Sequence, residues 1–454
     1  LDPNAAASYV TLGNVHSSRY EHEKSIPFFE EALQRNPETV AAFIGLANAG
    51  NVLGRWRAVL TWTDKGLRLR PDNCLLLNKR CTALAAMGRE QEALGVLTEL
   101  LRLAPADPSA HSAASTVYLR LKRYDEASAH TRKALSLQPA NPEHHKVLGH
   151  ILSKQGKLDE AEQAFQAALS LHPGLGPAEA GIKNVRIRRL MAEAATHIEK
   201  RNVELAVSPL RQVVELDPCH PIAQSKLALV LLDLSSHGEG LELARGAVHV
   251  KPQNAYARNA YAAALIHVGK NDQALAEVHE AIRLKPKLAG YWRTLASIHL
   301  DEERYPQAME ALEQGLAVDA HHKPLLRMQA PILAGLGRVD EAIAAVKSLI
   351  DGDDQDIWSH SCAGYAFRLL GQFENAERHC RRALELDKRG RAGRYGLGLA
   401  LFEQRRYAEA KPHLEESLRN NPFDRRPRKA LDEILTAEAS DNAAVVPSQP
   451  TAGS

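Results

Sequence analysis

Prolines stand at Pro3, Pro37, Pro71, Pro105, Pro139 and Pro173, each 34 residues after the last. The series resumes at Pro218, Pro252 and Pro286 and ends at Pro422. A fixed period of this length restricts a chain severely. Each unit is too small to bury its own apolar face, so it must stack on its neighbours in a solenoid. Between the two series, "GPAEAGIKNVR" (Gly176–Arg186) breaks the phase by eleven residues. Aligned on the prolines, the chain holds twelve repeats: five from Ala6 to Leu175 and seven from Ile187 to Asp424.

Within a repeat the apolar spacing is helical. In repeat five, Leu148, Ile151 and Leu152 mark one helix, and Leu158, Ala161, Phe165, Ala168 and Leu169 a second. The eighth position is Gly13, Ala47, Cys81, Ser115, Gly149, Ala194, Ala228, Ala262, Ala296, Ala330, Gly364 and Gly398, small in every case. The twentieth is Ala in nine of twelve, for example Ala93, Ala127, Ala161, Ala274 and Ala410. Small residues at both points let two helix backbones approach closely. Gly54, Gly88, Gly156, Gly269, Gly337 and Gly371 fall between the helices, where a positive φ is needed. Asp125, Asp159, Asp272 and Asp340 are expected to N-cap the second helix, and the proline closes the unit. The expected fold is all-α, an α-solenoid of antiparallel helix hairpins.

This pattern resembles the tetratricopeptide repeat family. Repeat one carries Tyr9, Leu12, Gly13 and His16, then Phe29, Ala32 and Pro37; repeat nine carries Trp292, Leu295, Ala296 and Ala308. The resemblance covers about nine-tenths of the chain. It implies a right-handed superhelix whose first helices line a concave groove for peptide or protein segments, without catalysis. Repeats nine to eleven depart from the pattern: Ala320, Asp354 and Lys388 replace the proline, and Pro331 enters a first helix, where a kink is expected. Arg425–Ala437 reads as a capping helix with Ala430, Leu431, Ile434 and Leu435 facing inward; 438–454 has a disordered composition.

Composition narrows function further. The net charge of +2 among 454 residues gives no electrostatic footprint for nucleic acid, and the basic runs Lys183–Arg189 and Arg425–Lys429 are short. Five scattered cysteines form no metal spacing. His144-His145 are neighbours that diverge by about 100° on a helix, and His321-His322 fall in a turn between repeats; neither pair is expected to hold a metal. "GRAGRYGLG" from Gly390 lacks the preceding strand that a phosphate loop needs. No nucleophile–base motif occurs, so no enzyme, cofactor or metal is expected. No apolar run reaches the length of a membrane helix. The opening Leu1-Asp2-Pro3 reads as the tail of a further repeat. Upstream residues therefore stay open, and with them the compartment, cytoplasmic or envelope.

The resemblance places positions two, five, nine and twelve of each first helix in the groove. In the first repeats these give Asn14, Ser17, Asn48 and Asn51, amides able to hold a peptide backbone. Repeat five gives Lys146, His150 and, one step on, Lys154, an expected cationic stripe short of the family's full carboxylate clamp. Repeats nine to twelve give Arg293, Arg327, Trp358, Tyr365, Arg368, Tyr395, Leu399 and Phe402, the residue types of interface hot spots. The expected function is a scaffold or adaptor that holds extended, acidic segments to assemble a complex, with self-association at the open ends as a further outcome. The alternative is the recruiting arm of a glycosyl- or sulfotransferase whose catalytic domain lies outside this chain. For the interruption itself, eleven residues make three helical turns plus about 20°. One helix from Pro177 to Arg201, a splice between the two arrays, is therefore expected, with Gly181 as its weak point.

Overall fold

The computed structural model describes residues 3–387 and 393–444. Among them lie twenty-five helices and no strand. Repeats one to five are the hairpins α1 (Pro3–Ser18) and α2 (His22–Arg35), α3 (Val40–Val52) and α4 (Trp56–Leu69), α5 (Cys74–Ala86) and α6 (Glu90–Leu103), α7 (Pro108–Arg120) and α8 (Tyr124–Leu137), α9 (Pro142–Gln155) and α10 (Leu158–Leu171). The long helix α11 (Gly176–Glu199) follows and pairs with α12 (Val203–Leu216). Then come α13 (Pro221–Asp233) and α14 (His237–Val250), α15 (Ala255–His267) and α16 (Asn271–Leu284), α17 (Ala289–Asp301) and α18 (Tyr305–Val318). Repeats ten to twelve are α19 (Lys323–Gly335) and α20 (Val339–Gly352), α21 (Ile357–Leu369) and α22 (Phe373–Leu386), α23 (Arg394–Glu403) and α24 (Tyr407–Asn420). α25 (Arg425–Ala444) ends the described chain. Two compact arrays result, 1–189 and 190–454, and the boundary falls inside α11.

Each hairpin is held by one contact between positions eight and twenty-four. A Cβ on Gly13 would lie 2.6 Å from the Phe29 ring, and one on Gly149 2.8 Å from Phe165. On Gly364 it would meet Cys380 Sγ at 2.4 Å. Where position eight is Ala, position twenty-four is Leu or Val in four repeats, as in Ala194 with Leu210 and Ala262 with Val278, and Thr63 or Ala244 in the other two, all buried. Repeat four uses a polar version: Ser115 Oγ and Thr131 Oγ1 share a hydrogen bond of 2.5 Å in the core. Position eight is small in every repeat, which lets the two helix backbones approach closely whatever stands opposite.

The turn between the two helices has one backbone solution. Position fifteen takes a positive φ in all twelve repeats. Six are the expected glycines, from Gly371 at 70° to Gly156 at 82°, and six are Tyr20, Lys122, Arg201, Ser235, Glu303 and Arg405, at 57° to 64°. The geometry is therefore imposed by the hairpin, and glycine only lowers its cost.

Capping differs from expectation. Asp125, Asp159, Asp272 and Asp340 are the second residues of their helices, and the cap positions are Arg123, Lys157, Lys270 and Arg338 without side-chain cap bonds. The carboxylates there face the helix dipole instead. Arginine at the cap position pairs with glutamate three residues on: Arg89–Glu92 and Arg338–Glu341 at 2.6 Å, Arg406–Glu409 at 2.7 Å. Repeat one reverses the charges, Glu21 with Lys24 at 3.0 Å. True side-chain caps stand before the first helices, at Asn73, Asp107, Asn141, Asn254 and Asp356.

α11 runs from Gly176 to Glu199 without a break. Its Ala178, Val185 and Ala194 are fully buried. Gly181 is no weak point: a Cβ there would sit 2.5 Å from Phe165, which is wedged between Gly149 and Gly181 as Phe29 is between Gly13 and Gly45. α19 continues through Pro331. In α25 Ala430, Leu431 and Ile434 are buried, but Leu435, expected to face inward with them, is half exposed. α25 continues to Ala444, past the Ala437 expected as its end, because no Gly or Pro interrupts that stretch. Lys388, the first three residues of the Gly390 motif and 445–454 lie outside the described residues.

Gly149→Ala is expected to cost about 1–3 kcal/mol through overpacking against Phe165. Adding Phe165→Leu should recover part of that loss; urea unfolding of the two single variants and the double variant measures the coupling.

Candidate partner-binding faces

In the first array, three depressions follow one another along the first helices. The first, about 350 Å³, is lined by Asn14, Ile44, Asn48, Leu75 and Lys79. The second shares Asn48 and Lys79 with it and adds Asn51, Asn78, Thr82 and Thr116. The third shares Ser112 and Thr116 with the second and reaches Glu143 and His144. Asn14, Asn48 and Asn51, singled out in the sequence, thus lie on one continuous polar track. Asn51 Oδ1 is buried and has no hydrogen-bond partner. Lys79, missed in the sequence because it sits at position six, joins two of the depressions. Burial lowers its pKa, and among the described residues no carboxylate pairs with it.

The expected cationic stripe of repeat five is weaker than its composition. Lys146 is paired with Glu143 on its own helix. His150 packs edge-on to the Phe165 ring at 5.0 Å. Burial, then Lys146 and Lys154, lowers its pKa. Lys154 is exposed. A row of three cations is therefore not formed at neutral pH, because burial and the adjacent lysines oppose the histidine's charge.

The aromatic and arginine patch of repeats nine to twelve does not form one open face. Leu399 is buried, and Phe402 packs with it in the core under Ala430, Leu431 and Ile434; both serve the C-terminal cap. Arg327 is bound to Asp356, Nε to Oδ2 at 2.7 Å. Asp356 is buried, but the Ser359 hydrogen bonds and Arg327 outweigh burial and keep its pKa low. Arg293 is half-buried, and desolvation lowers its pKa. Arg368 lies over the Tyr365 ring at 5.2 Å and 3.8 Å from Glu403. Tyr395 carries the Arg426 guanidinium over its ring at 4.8 Å. Trp358 is 48% exposed, the one aromatic of the set left open to this degree among the described residues.

The sequence reading missed two matched histidine pairs. His111 and His130 in repeat four, and His360 and His379 in repeat eleven, each approach Nδ1 to Nδ1 at 3.0 Å. The Nε2 atoms of His111 and His360 donate to the carbonyls of Pro105 and Asp354. A carbonyl only accepts, so the paired Nδ1 of each of these must accept from its neighbour in the neutral state. Tyr118 and Phe367 stack on the outer ring of each pair. Among the described residues no group of three potential ligands could hold a metal ion. His144 hydrogen-bonds Asn141, and His322 caps α19. No helix there is long and apolar enough to cross a membrane.

Stacked helix hairpins with small–large contacts define a repeat protein of the α-solenoid class. Family profiles described as tetratricopeptide repeat match residues 5–36, 84–151, 147–174, 293–357 and 363–425. The chain belongs to the tetratricopeptide repeat family, whose fold is typically a non-catalytic protein-interaction fold. No curated protein sequence matches it. Among solved structures it is similar to a thermophilic TPR protein of Thermus thermophilus, at 24% identity over 40% of this chain and 98% of that one, TM-score 0.38. It is also similar to the Cut9–Hcn1 structure of the APC/C (16% identity, 94% and 96% covered, TM-score 0.44) and to yeast Tom70 (15%, 98% and 98%, 0.35). Scores this low carry nothing beyond the fold.

The second array should be acid-labile. Burial pushes His267 down to about 4, with His237 stacked beside it adding to the effect and Asp424 opposing it. Its folded pKa lies below the unfolded value, so this stability is full above about pH 6.5 and is lost as pH falls toward 4. The loss should approach about 3 kcal/mol. His267→Gln should flatten the fall; thermal melting of both proteins from pH 7 to 4 measures it.

Proposed function

We propose that the chain is a non-catalytic scaffold that holds extended protein segments along the first helices of its first array. The observation that carries this reading is the continuity of the three depressions from Asn14 to His144. Their lining suits a peptide backbone. Asn48, Asn51 and Asn78 can both donate and accept, and Thr82, Ser112 and Thr116 add hydroxyls. Ile44 and Leu75 supply apolar area, Leu75 with 51% exposure. Lys79 sets the charge preference. A desolvated ammonium without a carboxylate partner favours a segment that brings one. The favoured ligand is therefore extended, acidic at one position and aliphatic beside it.

Random-peptide display against the full chain tests this. Selected peptides carrying a photo-crosslinker are expected to label the stretch around Asn48, Asn51 and Lys79. Asn48→Ala with Lys79→Glu should weaken them about tenfold or more, on the ~1.4 kcal/mol per decade scale. Selection of no peptide, or labelling confined to other repeats, overturns the reading.

A further inference from the structure

The last repeat of the second array turns back on the array itself. His237 Nε2 donates to the Asn420 carbonyl at 2.9 Å, across 183 residues of sequence. Phe423 stands edge-on to the His237 ring at 6.1 Å. Arg426 Nη1 reaches Asp301 Oδ1 at 3.1 Å, across 125 residues. A solenoid repeat needs contact only with its neighbours, so these contacts are additional to the fold's own logic. Arg426 is held on three sides. Asp301 lies at one, Asp424 Oδ1 at 3.2 Å at another, and the Tyr395 ring beneath. Against the cost of burial, Tyr395 and the two carboxylates keep it charged. Asp301 is pushed up by burial and pulled back by Arg426.

We propose that Asp301 and Tyr395 form an arginine-binding site on the second array, occupied in cis by Arg426, so that the C-terminal turn is an autoinhibitory latch. The site's chemistry selects its occupant. A carboxylate takes the guanidinium edge and a phenol ring takes its face, an arrangement that favours arginine over lysine. The latch is also displaceable. The Arg426 and Asp301 side chains keep 36% and 31% exposure, and Phe423 is half exposed. The partner of the opened site is a segment that presents an arginine to Asp301. This inference is independent of the reading of the first array.

Hydrogen exchange and peptide binding on the full chain test it together. In Arg426→Ala the amides of 236–240 and 420–424 should exchange about tenfold faster, with 40–120 unchanged. A labelled peptide of the chain's own Asn420–Lys429 should bind this variant and not the native protein. Asp301→Asn should open the same amides yet leave the peptide unbound, since it removes the receptor. The exchange Asp301→Arg with Arg426→Asp should restore protection, which a merely destabilising change would not allow. Unchanged exchange in both single variants overturns the latch. Equal peptide binding by the two variants, or binding by neither, overturns the arginine site.

Discussion

Everything in this chain rests on the contact between positions eight and twenty-four of the repeat. It fixes how closely two helices of a hairpin approach, and hence the pitch at which the next hairpin stacks. What is constant is the small side of the contact, not its partner: glycine stands against phenylalanine or cysteine, alanine against leucine or valine, serine against threonine with a hydrogen bond. A substitution on one side has to be read with its partner. Phe29 and Phe165 make this explicit, because each fills the space of two glycines on successive first helices.

The interruption at Gly176–Arg186 follows from the same contact. Gly176 is where the next regular repeat would begin, and Gly181 receives Phe165 as Gly45 receives Phe29. The first half of α11 therefore packs on repeat five as an ordinary first helix would. Eleven residues later the helix has turned three times and about 20° more, so a nearly unrotated face is presented again. That second half begins repeat six, with Ala194 at position eight against Leu210. One helix thus serves as the first helix of two repeats, and an insertion that looks like a defect in the period obeys the packing rule.

Local features were legible in the sequence and distant ones were not. The period, the hairpins and the glycine turns depend on residues within 34 of one another, so the repeat displays them. Asp125 and its equivalents misled because an acidic residue near a helix start serves the dipole as well as the cap. Asn14, Asn48 and Asn51, which the positional rule names, line the depressions of the first array, and so does Lys79, one position off the rule. The patch at Tyr365, Arg368 and Tyr395 was recognised by composition, but not the residue that lies on it. Arg426 belongs to the C-terminal helix, and no periodicity relates it to Asp301.

The side chains that line the first helices differ between the two arrays. Along the first, Asn48, Asn51, Asn78, Thr82, Ser112 and Thr116 are short side chains that line a depression between the helices. In repeats ten to twelve of the second, Arg327, Tyr365, Arg368 and Tyr395 are long enough to reach groups of the chain itself. Long aromatic and cationic residues raise the affinity of a face, and for that reason they also draw in whatever segment of the same chain lies within reach. Here that segment is the turn that leads into α25.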